Sequence, residues 1–307
     1  MSMKIKVIGI GGSGGNTISR LSKKSFKDVE LFAVNTDAQA LNKCSSPNKI
    51  LIGRKVTEGL GTGMNWNLGQ RAAKESQEEL KNILKGADIV FLTCGMGGGT
   101  GSSVISILGR LAKELDILTV AVATLPFSFE GSLRKRLADK GLNQLKKNID
   151  SYLIIPNDKV LKDASKKTSV EEAFLNADSA LLESIEGVSN LLSLSGIISI
   201  NFADLEEILK NSGKTIFGVG KTKGEQRAIA AVSRAFQSPF LDYIPKKAKG
   251  VLFNITGREV SLNEVNLVAN FIKKITDRRT KVSFGVSEDK KMPKGEIKVT
   301  LIATGVE

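Results

Sequence analysis

The 307-residue chain has no histidine, two cysteines, one tryptophan and two tyrosines. Each scarcity excludes something. Without histidine there is no Ser-His or Cys-His mechanism, and most zinc chemistry is gone. Any hydrolysis must rely on carboxylates, backbone dipoles, Lys or Arg, and a hard metal ion. Cys44 and Cys94 form no CxxC pair, so neither a disulfide framework nor a zinc site is indicated, and no protein-held metal is expected. A reducing cytoplasm is the expected compartment. So few Trp and Tyr leave little to stack on bases, and no specific nucleic-acid partner is expected. No apolar run reaches the length of a membrane span; the longest lies near ILTVAVATLPF. The start, MSMKIKVIGIGG, lacks the order of parts of a secretory signal. Acids are also in the minority: 45 Lys and Arg stand against 32 Asp and Glu, a net charge of +13. That balance favours anionic partners such as nucleotides, an anionic membrane surface or an acidic protein. Its short clusters, such as Lys146-Lys147 and Arg278-Arg279, each read as a solvated face.

What is present is regular. KIKVIGI, LFAVN, DIVFLTC, LTVAVAT and SYLIIP read as buried strands, being short, β-branched and nearly continuous. Amphipathic stretches separate them, among them GQRAAKESQEELKNILKG, which reads as one helix. This alternation predicts a parallel sheet with helices on both faces and a ligand at the carboxyl ends of the strands. A helical pattern runs from about Ser169 to Leu194 and reads as a connecting helix. The last third predicts two helices against about four strands. The expected fold is thus α/β: a parallel-sheet nucleotide domain over 1–168, a central helix over 169–195 and a smaller α/β domain over 196–307.

Glycine-rich loops follow the strands: GIGGSGGN, GLGTG and GMGGGTGSS, with NTDAQAL after LFAV. One such loop reads as a tight turn. Several at one sheet edge, each opening onto a helix N-terminus, read as a polyphosphate cradle. A P-loop is excluded, because the GKT triplets at Gly213 and Gly220 have Ile208 and Thr215 where the motif needs glycine. G-x-G-x-x-G at Gly9, Gly11 and Gly14 is a weak dinucleotide signal, with Asp37 near the spacing for a ribose contact and Glu30 as the alternative. An NAD-dependent oxidoreductase is therefore one rival reading, but it leaves GMGGGTGSS and GLGTG unexplained.

GGSGGN, NTDAQAL, GLGTGMN, GMGGGTG, PFSFEGSLR, IPND and GEQRA stand in the order and spacing of the tubulin/FtsZ family, which the chain resembles over essentially its whole length. The resemblance implies a GTPase that polymerises head to tail into protofilaments, usually for cell division. It implies GTP or GDP as ligand, with Mg2+ held mainly by phosphate. Gly12, Ser13, Gly14, Gly15 and Asn16 would line the α/β-phosphate side, with the Ser13 side chain turned away. Gly97, Gly98, Gly99, Thr100, Gly101 and Ser102 would wrap the phosphates, Ser102 standing for the usual threonine. Glu130, Arg134 and Asn157 match nucleoside-side positions. Read without the family, Glu130 and Arg134 are a solvated helical ion pair. Phe174 and Asp178 share a helix face and match the base-reading positions; a carboxylate accepts from guanine and finds no matching donor pair on adenine.

In this family a loop after the central helix completes the pocket of the next subunit. Its pattern is close to G-x-x-N-x-D-F-A-D, and this chain reads GIISINFAD, Gly196 to Asp204. Ser199 stands for the asparagine, Asn201 for the first aspartate, and Asp204 remains. An amide orients water but is a poor base, so slow GTP turnover is expected with Asp204 as the surviving acid. The resemblance implies the chain itself as partner, with a second paralogue, a membrane adaptor or an anionic membrane surface as further candidates, and a place at the division site. A weakly hydrolysing regulatory or scaffold paralogue of the same fold is the other rival.

Overall fold

The computed structural model of the chain describes residues 3–24, 26, 28–159, 181–185, 187–188, 196–237 and 248–306. Its chain forms two compact units, Met1–Leu181 and Leu182–Glu307.

In the first unit the strands are β1 (Ile5–Ile10), β2 (Val29–Asn35), β3 (Asn48–Leu51), β4 (Ile89–Gly95), β5 (Leu118–Leu125) and β6 (Ser151–Pro156). The helices are α1 (Gly11–Leu21), α2 (Ala38–Lys43), α3 (Arg54–Thr57), α4 (Trp66–Glu75), α5 (Gln77–Leu84), α6 (Gly99–Glu114) and α7 (Ser132–Leu145). The six strands are all parallel, in the order β3-β2-β1-β4-β5-β6. Helices cover both faces, so β1 and β4 are apolar without alternation. Ile8, Ile10, Val90 and Leu92 pack with Val104, Leu108 and Leu111 of α6 in the main core. Lys6 is an exception explained by its partners. Its buried Nζ donates to Ile83 O (3.0 Å) and Lys85 O (2.8 Å), closing the carbonyl end of α5.

The stretch expected as one helix is two. Ser76 (φ −99, ψ 24) breaks it between α4 and α5. The break lets Ser76 Oγ accept from Gly53 N–H (3.0 Å), and lets the Glu75 carboxylate accept from the N–H groups of Lys55 (3.0 Å) and Val56 (3.1 Å). The first turn of α3 would otherwise leave those donors unpaired.

The second unit holds β7 (Gly196–Ile198), α8 (Phe202–Leu209), β8 (Gly213–Lys223), α9 (Arg227–Phe236), β9 (Gly250–Gly257), α10 (Leu262–Ile275), β10 (Lys281–Glu288) and β11 (Glu296–Thr304). The sheet order is β8-β11-β9-β10-β7, with only β9 and β10 parallel. One strand and one helix exceed the sequence expectation: the three-residue β7 and the short α8. Val232 and Ala235 of α9 and Val268 and Ile272 of α10 pack on Val251, Phe253, Val299 and Leu301. Arg227 locks α9 to the start of α10, its Nε donating to Glu264 Oε1 (2.6 Å) and an Nη2 to Glu259 O (2.8 Å). Most of the expected central helix lies outside the described residues; 181–185 and 187–188 are helical, with Ile185 and Val188 buried.

Candidate functional site

The carboxyl edge of the parallel sheet carries a cavity of about 560 Å³. Two helices open onto it, α1 after β1 and α6 after β4. Neither has a side-chain cap, and neither has an acidic residue in its first turn. α2, α4, α8 and α10 are each capped by an Asp, Asn or Ser side chain, whereas α3, α5, α7 and α9 also lack one; α1 and α6 differ from these in that their first-turn glycines line the cavity. The first-turn N–H groups of α1 and α6 are thus left to a ligand, beside the positive dipole ends, and an anion satisfies them.

The glycines divide by what lies beyond them. A Cβ on Gly12 or Gly98 would meet no protein atom within 4 Å, and both residues line the cavity. These two clear space for a ligand. The others mostly clear space for protein. A Cβ on Gly101 would lie 2.8 Å from Gly95 O, and one on Gly99 would lie 2.5 Å from Thr62 Oγ1. A Cβ on Gly9 would lie 2.3 Å from Gly14 O. The G-x-G-x-x-G spacing therefore packs β1 against α1.

Among the expected residues, Gly12, Ser13, Gly98, Gly99, Thr100 and Gly101 line the cavity. Gly15 and Asn16 line an adjoining cavity of about 280 Å³, which shares Gly11, Gly12 and Asp37 with the first. Gly14, Gly97 and Ser102 stand behind the wall. Ser102 is fully buried, and its hydroxyl accepts from Gly97 N–H (2.8 Å), bracing the turn. Ser13 lies against the strand end: its Cβ and Oγ are the atoms a Cβ on Gly95 would strike, at 2.9 Å. Cys94, beneath the same turn, is no nucleophile, since burial pushes its thiol up to about 12.

A hydroxyl cluster closes the β2 side, joining the expected Thr100 to Thr36 and Thr62, which were not singled out from the sequence. Thr36 Oγ1 and Thr100 Oγ1 are 2.7 Å apart, and Thr62 Oγ1 is 3.1 Å from Thr100 Oγ1. Three hydroxyl protons serve two contacts, so one O–H is left for a ligand. The only signal was threonine inside NTD and GLGTG, which carries little information alone. Thr62 rides on the loop 58–64, where Glu58, Gly59, Gly61, Gly63 and Met64 all have positive φ.

The β6 side is charged. Glu130 belongs to a 3-10 turn, Ser128–Glu130, and Arg134 to α7; Gly131 between them has φ 93. Their ion pair (3.3 Å) thus bridges two elements at the cavity wall and is not one on a continuous helix. Glu130 also accepts from Phe127 N–H (2.9 Å). Asn157 lines the same wall, 4% exposed, with its Oδ1 paired to no protein atom. An unpaired buried amide oxygen is costly, so the wall fits a ligand that donates to it. Phe174 and Asp178 lie outside the described residues. Asn201 and Asp204 belong to the second unit, at the start of α8. They form a reciprocal cap: Asn201 Oδ1 accepts from Asp204 N–H and Asp204 Oδ2 from Asn201 N–H, both at 2.9 Å.

Two uncapped helix ends, a hydroxyl-lined side and a Glu/Arg/Asn side define an α/β protein with a seat for an extended anion at its sheet edge. Comparison gives the lineage. The profile of the Tubulin/FtsZ family, GTPase domain, matches residues 4–165, and that of the FtsZ family, C-terminal domain, matches 213–307. An FtsZ from M. jannaschii, solved as an empty dimer, is 38% identical; the match covers 100% of this chain and 89% of that one, with a TM-score of 0.88. CetZ2 from Haloferax volcanii, solved as a GTPγS-bound protofilament, is 22% identical over 99% of this chain and 94% of that one, with a TM-score of 0.81. The likeness to CetZ2 shows the fold alone. This chain belongs to the Tubulin/FtsZ family of GTPases, whose ligands are GTP and GDP.

Proposed function

We propose that the chain binds GTP in the 560 Å³ cavity, assembles head to tail with copies of itself, and hydrolyses GTP slowly at the junctions, in the service of cell division. The observation that carries this is the pair of uncapped, acid-free helix ends facing Gly12 and Gly98. The phosphates lie over these ends. Glu130 repels phosphate and suits ribose hydroxyls, so the nucleoside lies on the β6 side with Arg134 and Asn157. The terminal phosphate then lies by Thr36, Thr62 and Thr100. Arg134 is the one cation among the described lining residues, too little for a triphosphate. Mg2+, held by phosphate and water, supplies the balance; no cluster of three metal-binding side chains occurs among the described residues. Phe174 and Asp178 are proposed to read the base. Residues 1–168 form the binding domain, 169–195 the connection and 196–307 the second domain.

Two acids line the cavity: Asp37, which accepts from Ala40 N–H, and Glu130, which accepts from Phe127 N–H and pairs with Arg134. We assign the positioning of the attacking water to the α8 end of the next copy, where Asp204 acts with Asn201 in place of an acid. Exposed apolar side chains are available for such a contact: Leu60, which lines the cavity, is 81% exposed, and Phe129, beside Glu130 in the chain, 77%. The FtsZ solved as a dimer, 38% identical over the whole chain, supports assembly. The test is phosphate release beside sedimentation and electron microscopy with GTP. Aspartate caps a helix as well as asparagine does, so Asn201→Asp keeps the α8 cap and changes only the chemistry. We expect turnover to rise by about 10²-fold or more. Equal, brisk turnover in both proteins sinks the slow-hydrolysis reading. Filaments that form with GTP but show no turnover in either protein support a scaffold paralogue instead.

A further inference from the structure

Charge in the second unit is uneven between the two ends of its strands. At the end where β8, β9 and β10 begin and β11 finishes, the turns are tied side by side. Lys281 N–H donates to Lys249 O (3.0 Å), Lys249 N–H to Thr304 O (2.8 Å) and Val306 N–H to Lys214 O (3.2 Å). Thr280 Oγ1 donates to Ala248 O (2.7 Å). These turns and the last turn of α10 gather Lys249, Lys273, Lys274, Arg278 and Arg279, all exposed. Compensation is slight. Arg279 sits 3.7 Å from Asp277 but is 95% exposed, and Lys281 pairs with Glu207. Lys249, Lys273, Lys274 and Arg278 make no ion pair among the described residues. At the opposite end, Glu225, Glu259, Glu288, Asp289 and Glu296 interleave with the cations.

The arrangement is built into the backbone. Gly305 has φ 64, and a Cβ there would lie 2.6 Å from Lys249 Cγ, so this glycine leaves the channel through which the lysine stem reaches the surface. Crowding cations on adjoining turns is self-repulsive, and an anionic partner removes that cost. The chemistry of the partner follows from how the cations are presented. They are long side chains on separate turns, with no fork of donors around one acceptor point. The described turns contain no aromatic residue to stack on a base. Such a surface matches a diffuse plane of negative charge.

We infer that this end of the second unit is a docking face for anionic lipid headgroups. It is independent of the nucleotide seat, so nucleotide-free protein serves for the test. The probe is cosedimentation with vesicles of 70% phosphatidylcholine and 30% phosphatidylglycerol, beside vesicles of phosphatidylcholine alone. Each cation near an anionic surface strengthens partition about fivefold, so Lys249→Gln/Arg278→Gln/Arg279→Gln loses about a hundredfold. The matched control, Lys135→Gln/Arg136→Gln/Lys147→Gln on and after α7, removes the same charge from the first unit and keeps wild-type binding. Salt provides a measurement without mutation: binding falls steeply between about 0.05 and 0.3 M. Equal losses in the two triple variants make net charge the cause and overturn the inference. So does binding that ignores salt, binding that is absent on the acidic vesicles, or polyglutamate that binds more tightly than vesicles of equal accessible charge at the same salt, which assigns the face to an acidic protein.

Discussion

Gly12 and Gly98 have open space beyond their α-carbons, whereas Gly101 has the Gly95 carbonyl oxygen at 2.8 Å from its would-be Cβ. None of the three has a positive φ, so alanine is tolerated by the backbone at each. Their substitutions separate binding from stability. Gly98→Ala puts a methyl into the seat: melting temperature unchanged, GTP affinity by equilibrium dialysis down at least about tenfold, a cost of about 1.4 kcal/mol. Gly101→Ala overpacks the strand end and lowers stability by about 1–3 kcal/mol in urea. The reverse pattern would show that the two glycines had been assigned to the wrong tasks. At this scale the sequence marks the glycines but not their separate uses. A run such as GMGGGTGSS shows that side chains are excluded, while much of what excludes them, Ser13 of α1, Thr62 and Asn65, Thr124 of β5 and Arg134 of α7, lies far off in the chain. Thr100 could be named in advance, but its partners Thr36 and Thr62 were hidden for the same reason.

The elements that could be read in advance were those with a strong period. β1, β2, β4, β5 and β6 are continuous apolar runs because helices cover both faces of their sheet. The misread ones are short or locally ambiguous. β7 is three residues and draws its order from pairing with β10. Ser76 breaks α4 from α5 to serve backbone donors of α3, a tertiary demand that periodicity does not record. The cap on α8 is written as Asn-Phe-Ala-Asp, residues that serve equally as a cap and as the family's catalytic pattern, so the sequence alone does not separate the two uses. The second cap, Ser261 to Glu264 on α10, carries a pH prediction. Burial alone would raise the Glu264 pKa, but the Arg227 guanidinium and the Ser261 N–H and hydroxyl outweigh it and hold the carboxyl below 4.5. A carboxyl depressed by folding contributes stability above its unfolded value and loses it as pH falls through its folded value. Glu264→Gln is therefore expected to cost about 1.5–3 kcal/mol near pH 7. In urea melts, the gap between variant and wild type should narrow as pH drops below about 4.5. A gap that is constant with pH would mean that the charge of Glu264 contributes nothing.

For the whole molecule, the separable quantities are seat and assembly. Leu60 lies on the cavity rim, 81% exposed, and packs on nothing it would need for folding. Leu60→Ser should raise the concentration at which filaments sediment by about fivefold or more, the loss of a small interfacial anchor, and by more than any change in GTP affinity of the single subunit. Unchanged assembly would move the proposed contact away from this rim. Among the described residues no helix is long and apolar enough to cross a membrane.

Trp66 opens α4 directly after the loop 58–64, and Lys140 Nζ of α7 sits 4.6 Å from its ring centroid. It is the chain's single tryptophan. One indole is thus held between the loop that brings Thr62 to the seat and the helix that brings Arg134. An ammonium over the ring face shifts the energy of its excited state, and any change in that spacing changes the emission. The native protein therefore carries its own optical probe: selective excitation of this one indole will register, without a label, any filling of the seat that shifts α4 against α7.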